Sequence, residues 1–292
     1  MSIDQLQKQI RKLKNPMCVL FCAEESQIPV HIRENAGSLC DAYDVYARSL
    51  LTGLKETVPA VRFDFTTFAV LGAEGLSLLQ GLLSFASEQG YYVILDAPEA
   101  NSARSAQTAA QQLMNTDSIW KFDALVLSCY IGSDGVKPYI QYIKERNKAL
   151  FFTLRTANKS ALELQDLMTG SRLVHLAAAD MAKRFGEPYL GRSGYSLIGG
   201  VGAATSADGL KTLRGKYPAM FLLIDGADYS GANAKNCSVA FDKLGHGAVA
   251  CVGASILEAW HLEESDGLDY VEQAVQAAER IKKNLLRYIT VL

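Results

Sequence analysis

The chain has 292 residues, of which 49% are hydrophobic and 21% are charged, and its formal net charge is −2. This composition is typical of a packed protein and excludes an extended disordered chain, and without a long basic run it gives no indication of a nucleic-acid surface. Membrane and secretory segments are not expected, because no apolar run reaches roughly 18 residues and the N-terminus lacks the apolar core of a signal peptide.

The six cysteines are scattered mostly through apolar runs and form no CxxC pair, and the four histidines are isolated from one another. Structural zinc sites need clustered ligands, and disulfides are typical of oxidising compartments. The pattern therefore predicts reduced thiols, no metal and a cytoplasmic location.

Short apolar runs alternate with helical patterns along the chain, after an N-terminal amphipathic helix that carries Lys8, Arg11, Lys12 and Lys14. Each run is too short for a buried helix and nearly all apolar, as in parallel strands that are covered on both faces. The predicted strands are Met17–Cys22, Ala60–Phe65, Tyr91–Asp96, Ala124–Cys129, Lys148–Leu154, Tyr195–Val201, Met220–Ile224 and Ala248–Val252.

Helical periodicity fills the segments between these strands, and a turn at residues 262–267 precedes a final amphipathic helix. The predicted helices are Ile32–Glu56, Glu74–Gln89, Ala103–Leu113, Tyr139–Arg146, Leu173–Phe185, Ala207–Arg214 and Tyr270–Tyr288.

About eight strands that alternate with helices favour a (β/α)₈ TIM barrel with extra N- and C-terminal helices, in one domain over residues 1–292. The alternative is an open doubly wound sheet with a small second domain. Residues 18–24, around the first strand, contain no glycine, which argues against a dinucleotide-binding sheet. In a barrel, function concentrates at the C-terminal ends of the strands, here called the mouth.

The third predicted strand ends in Asp96, with Pro98 two residues on and Asn101 five residues on. This segment resembles the motif of the orotidine 5'-phosphate decarboxylase family, in which these three places hold Asp, Lys and Asp. The resemblance, to the longer bacterial subgroup, runs from about Met17 to Trp260. Further blocks agree in order and spacing, at residues 68–75, 123–134 with Pro138, 154–161 with 163–166, 225–231 and 253–260.

The resemblance implies a cofactor-free decarboxylation of orotidine 5'-phosphate to uridine 5'-phosphate. In the family an alternating Lys–Asp–Lys–Asp array stabilises the carbanion-like transition state, and the motif lysine protonates the carbon. Here the implied catalytic positions are Arg62, Asp96 and Asn101, and only Asp96 matches. Pro98 has neither charge nor proton, and the aspartate expected after the first strand is Cys22.

The ligand contacts that the resemblance implies are altered as well. The pyrimidine-binding serine is replaced by Ala157, and the phosphate-gripping arginine is replaced by Ala254. Glycine amides remain to receive an anion with less affinity. The implied ligand positions are Ser128, Thr156, Asn158, Gly226, Ser230, Gly231 and Gly253.

Individual residues allow more than one interpretation. Asp96 is either a retained catalytic carboxylate or the cap of the following helix. Arg62 is expected to pair with Asp96 on the adjacent strand, either as a structural bridge or as a catalytic pair. Cys22 would be a nucleophile only with a nearby base, and His31 has no assigned place.

Three functional hypotheses follow. The first is a family member that has lost decarboxylation and keeps a binding, regulatory or subunit role. The second is an active decarboxylase, and the third is a barrel with altered chemistry on a small anion through Arg62 and Asp96. The partner implied by the resemblance is a small phosphorylated ligand such as a pyrimidine nucleotide, in a homodimer.

Overall fold

The computed structural model describes residues 2–262 and 266–292, so residues 263–265 of the predicted turn at 262–267 lie outside the described part. Eight parallel strands pair in chain order and close into a barrel. The strands are β1 (Met17–Phe21), β2 (Ala60–Asp64), β3 (Tyr92–Asp96), β4 (Ala124–Ser128), β5 (Ala149–Thr153), β6 (Ile198–Ala203), β7 (Leu222–Asp225) and β8 (Ala248–Val252). The closed barrel confirms the predicted TIM-barrel class, and the open-sheet alternative is wrong.

Helices surround the barrel and connect successive strands. They are α1 (Ser2–Leu13), α2 (Val30–Asn35), α3 (Leu39–Leu54), α4 (Phe65–Ala69), α5 (Gly72–Glu88), α6 (Ala103–Leu113), α7 (Lys137–Ile140), α8 (Ile143–Arg146), α9 (Val174–Gly186), α10 (Ala207–Lys216), α11 (Ala234–Ser238), α12 (Ala254–Leu257), α13 (Ala259–Leu262) and α14 (Tyr270–Leu286). A two-stranded antiparallel ribbon, Met168–Thr169 with Arg172–Leu173, lies between β5 and α9.

Two of the predicted helices are each divided in the structure. The predicted helix Ile32–Glu56 is α2 followed by α3, because Ser38 caps a new helix by accepting a hydrogen bond from the Asp41 amide. The predicted helix Tyr139–Arg146 is α7 followed by α8. In both cases the apolar spacing continues across the break, so periodicity alone does not reveal it.

Helix α1 covers the N-terminal end of the barrel, opposite the mouth. The Ser2 hydroxyl lies 2.6 Å from the Tyr92 hydroxyl and donates to the Asp123 carbonyl at 3.0 Å. The Gln7 side chain accepts from the Gly247 amide at 3.2 Å. These contacts tie α1 to residues that begin or precede β3, β4 and β8, so this end of the barrel is closed. None of the described helices is both long and apolar enough to span a bilayer.

Candidate active site

An arginine clamp lies at the mouth of the barrel. The Arg62 guanidinium donates through Nε and Nη2 to both carboxylate oxygens of Asp96, at 2.7 and 2.9 Å. Its third nitrogen, Nη1, donates to Asp225 Oδ1 at 3.0 Å. The structure therefore brings Arg62 and Asp96 together, as expected from the sequence, and adds Asp225, which the sequence placed at a strand end but did not pair with Arg62.

The strand register explains why these side chains meet. Arg62 lies opposite Ile94, and Asp64 lies opposite Asp96, so Arg62 is one pleat below Asp96 on the same face. The Arg62 side chain is only 8% exposed, and the carboxylates of Asp96 and Asp225 are each 20% exposed. A buried guanidinium requires such partners, because an uncompensated buried charge is strongly destabilising.

The clamp keeps Arg62 charged. Burial disfavours the charged guanidinium, but the carboxylates of Asp96 and Asp225 outweigh this and raise the pKa of Arg62 well above its ordinary value. Burial raises the pKa of Asp96, against the opposing effect of Arg62, and the nearby carboxylates of Asp64 and Asp225 add to the rise. One cation thus faces three carboxylates at this level of the barrel.

The loop after β3 does not supply a further charge to the clamp. Pro98 is half-buried and Asn101 is exposed. The following helix, α6, is capped by Ser102, whose hydroxyl accepts from the Ser105 amide. Asp96 is therefore not the helix cap, and its carboxylate is held by Arg62 instead.

The lysines on either side of this motif in the sequence contact residues outside the clamp. Lys55 donates to the Gln89 side chain at 3.4 Å, and Lys121 donates to the Ser118 carbonyl at 3.2 Å. Neither contact involves a residue of the clamp. Within the described chain, Asp96 has an ion pair with Arg62 and with no lysine.

Cys22 follows β1 and borders the same group of carboxylates. Burial, and then the charges of Asp64 and Glu24, raise the pKa of the Cys22 thiol to about 12. The thiol is therefore protonated near neutral pH, which argues against nucleophilic catalysis. His31 packs against the Tyr270 ring, with 6.4 Å between ring centroids.

The segment after β5 forms a stapled loop that holds two of the predicted ligand residues together. Thr156 donates from its hydroxyl to Asn158 Oδ1 at 2.5 Å, and its amide donates to Gln165 Oε1 at 2.8 Å. Arg155 forms a two-pronged pair with Asp166, at 3.0 and 2.9 Å. Gln165 and Asp166 therefore have a structural role. They lie about ten residues after Arg155 and Thr156 and hold the two ends of the loop together.

A carboxylate of the β7 loop reaches the amides of the β8 loop. Asp228 Oδ2 accepts from the Gly253 amide at 2.9 Å and from both the amide and the hydroxyl of Ser255 at 3.1 Å. In barrels of this class, the loops after the seventh and eighth strands frequently bind phosphate. Here the chain's own carboxylate already uses these donors, an arrangement that sequence reasoning missed.

The remaining predicted ligand residues lie around the mouth without a common contact. Ser128 ends β4 opposite Thr153. Ser230 and Gly231 are exposed in the β7 loop. Gly226 has a φ of +65°, and a Cβ there would lie 2.6 Å from the Ala157 Cβ, so glycine is required at this turn for steric reasons.

Metal-binding geometry is not found among the residues that the structure describes: no group of three or more His, Cys, Asp or Glu side chains is arranged to hold an ion. The six cysteines are free thiols. Among the described residues, the mouth thus holds carboxylates, the guanidinium groups of Arg62 and Arg155, and backbone donors.

No family model matches the chain. Individual relatives nevertheless show the family of this barrel. The chain is 30% identical over 290 residues to the orotidine 5'-phosphate decarboxylase of Clostridium kluyveri, covering 98% of both. It is 27% identical over 286 residues to that of Clostridium novyi, again covering 98% of both.

Solved structures agree on the fold. The Leishmania donovani OMP decarboxylase superposes with a TM-score of 0.76 at 22% identity, over 98% of both chains. The orotidine 5'-monophosphate decarboxylase of Methanocaldococcus jannaschii gives a TM-score of 0.61 at 13% identity, over 91% of this chain and 98% of that chain. With a 30% identical relative matched over nearly its whole length, the chain belongs to the orotidine 5'-phosphate decarboxylase family.

Proposed function

We propose that this protein is a family member that does not decarboxylate orotidine 5'-phosphate and serves as a binding or regulatory barrel. The observation that carries the proposal is the clamp, in which three guanidinium nitrogens of Arg62 are engaged by Asp96 and Asp225. Decarboxylation leaves a carbanion that needs a nearby cation and a proton donor. A guanidinium does not release its proton at ordinary pH, and Pro98 has none to give.

The electrostatic balance of the mouth supports the same proposal. Asp64, Asp96 and Asp225 lie close enough to influence one another, and Arg62 is the cation that contacts two of them. The substrate of the family carries a carboxylate and a phosphate. Placing further negative charge beside three carboxylates is unfavourable, and the low dielectric of the pocket strengthens the repulsion.

The ligand class in the proposal remains a small phosphorylated molecule such as a pyrimidine nucleotide. The relatives are named for an enzyme of orotidine 5'-phosphate. Asp228 competes with any phosphate for the donors of Gly253 and Ser255, so we expect weak affinity. A reducing, cytoplasmic location is part of the proposal and is supported by the six free thiols.

The test is release of carbon dioxide from carboxyl-labelled orotidine 5'-phosphate. The Clostridium kluyveri relative, purified by the same procedure, is the positive control. We expect release at the background rate of buffer. Turnover that stays with the protein through every purification step, and is lost in Asp96→Asn, would overturn the proposal.

An active decarboxylase is the second candidate, and the 30% identity over 98% of the Clostridium kluyveri protein favours it. The same assay decides between the two. If turnover is found, the proton donor must be a group other than the residue at position 98, and loss of turnover when that group is substituted would identify it.

A homodimer is also part of the proposal, by resemblance to the family. Support comes from apolar side chains exposed in the segment after β5, with 62% exposure at Leu162, 55% at Leu164 and 64% at Met168. Several large apolar side chains exposed within one short segment are typical of an interface. Light scattering should give about 64 kDa, twice the 31.8 kDa of one chain. We expect Leu164→Glu to reduce the mass to that of one chain.

A further inference from the structure

A cavity lies on the outer side of the β7 and β8 loops, and none of the clamp residues Arg62, Asp96 and Asp225 lines it. Its volume is about 630 Å³, within the range of small-molecule sites, and the helices α11, α12 and α14 contribute its walls. Its floor is apolar and closed, since Cys237, Val252 and Leu285 are at most 3% exposed. The cavity is thus a fixed feature of packed helices.

Two cations line this cavity. Lys235 projects from α11 and Arg287 follows the end of α14, and both line the opening together with Asn284 and Tyr288. Within residues 2–262 and 266–292, neither Lys235 nor Arg287 forms an ion pair. Other arginines of the chain, such as Arg48 and Arg155, are paired with aspartates.

One carboxylate on the cavity wall offsets part of this positive charge. Asp228 also lines the cavity, but its Oδ2 accepts three hydrogen bonds from Gly253 and Ser255. These hydrogen bonds satisfy the oxygen without removing the negative charge, so the lining carries two cations and one anion. The cavity therefore presents two unpaired cations and the amide of Asn284 against one satisfied anion.

We propose that this outer cavity, which shares Asp228 and Ser255 with the loops of the mouth, binds a phosphate monoester of mononucleotide size beside α11 and α14. The phosphate would lie between Lys235 and Arg287. The Lys235 ammonium would act as a point charge, and the planar Arg287 guanidinium could donate two parallel hydrogen bonds. Tyr288 is 55% exposed and offers a ring face for a planar base. The proposal does not depend on whether the mouth has lost decarboxylation.

The test uses AMP, adenosine and inorganic phosphate in titration calorimetry at low ionic strength. We expect saturable binding of AMP, weaker binding of phosphate and none of adenosine, since the charge carries the interaction. The double substitution K235A/R287A should weaken AMP binding at least about tenfold.

The matched control is K243A/K283A, which removes the same charge. Lys243 and Lys283 are exposed, and Lys283 lies on α14 outside the cavity lining. We expect it to leave the AMP affinity within about twofold of the unsubstituted protein. Hydrogen exchange should show protection by AMP in α11 and at the end of α14.

Four results would each overturn the proposal: no saturable AMP binding, equal affinity in K235A/R287A, equal binding of adenosine, or protection at the mouth alone. Carbon dioxide release from the unsubstituted protein would contradict the proposed function and leave this inference standing. The two failures are therefore distinguishable.

Discussion

Arg62 donates two parallel hydrogen bonds to Asp96, and its remaining nitrogen donates to Asp225, which is 163 residues away in the chain. This geometry joins β2, β3 and β7 across the mouth. Removing one partner of such a buried ion pair destabilises the fold, because the other partner is left charged and without solvent.

We therefore expect Arg62→Leu to lower the free energy of unfolding by at least about 3 kcal/mol, because two carboxylates lose their cation. Asp225→Asn should cost less, because the bidentate contact with Asp96 remains. Urea unfolding followed by circular dichroism measures both. Arg33→Leu is the control, since its pair with Glu25 is exposed and should contribute little. Equal costs for Arg62→Leu and Arg33→Leu would contradict a stabilising clamp.

Asp228→Ala should increase the affinity of the mouth for uridine 5'-phosphate. The substitution removes a negative charge and releases the donors of Gly253 and Ser255, so we expect about a tenfold gain. The K235A/R287A background excludes binding in the outer cavity, and calorimetry measures the affinity.

Asp208→Ala is the matched control, because Asp208 is exposed in the first turn of α10 and should leave the affinity unchanged. No gain in Asp228→Ala would show that the β7 and β8 loops do not receive a phosphate even when their donors are free.

Acid should weaken the stapled loop after β5. The side-chain hydrogen bond from Arg155 lowers the pKa of Asp166 below its ordinary value. In the unfolded chain an aspartate has a pKa of about 3.9. Near that pH the unfolded chain begins to bind protons, while Asp166 in the folded state is still charged. The stabilisation is fully present above the unfolded pKa and is lost as pH falls through the lowered folded pKa.

Asp166→Asn should therefore lower stability by about 2 kcal/mol at pH 7 and flatten its decline below pH 4. Urea midpoints between pH 7 and pH 3 give the comparison, with Asp208→Asn as the control. A parallel decline in Asp166→Asn and in the unsubstituted protein would mean that other carboxylates account for the acid sensitivity.

Cys22 should react slowly with iodoacetamide at neutral pH. With the pKa of its thiol at about 12, the rate should rise about tenfold per pH unit from pH 7 to pH 10 without a plateau. Mass spectrometry of the peptide that contains Cys22 follows the reaction, with glutathione as the reference thiol. A plateau below pH 10 would indicate a more acidic thiol and reopen a nucleophilic role.

The sequence was sufficient for the barrel and for one contact of the clamp. Eight apolar runs separated by helical patterns are a local property, and the ends of adjacent strands β2 and β3 meet in any barrel, so Arg62 and Asp96 could be paired. The break between α2 and α3 was missed, although Ser38 three residues before Asp41 is a capping signal.

The parts that could not be predicted are long-range contacts between loops. Asp225 reaches Arg62 across the barrel, and Asp228 turns toward Gly253 and Ser255 in another loop. Neither contact follows from periodicity. The direction of a loop side chain depends on turns such as the one at Gly226, and periodicity does not describe them. The outer cavity is also a product of helix packing that brings α11 and α14 together.

Both described chain ends are fastened on the side away from the mouth, Ser2 through Tyr92 and Asp123, and Leu292 through Leu244 and His246. A tag fused at either end would extend from the closed base. Attachment to a sensor chip through such a tag would orient the open face toward the flowing solution.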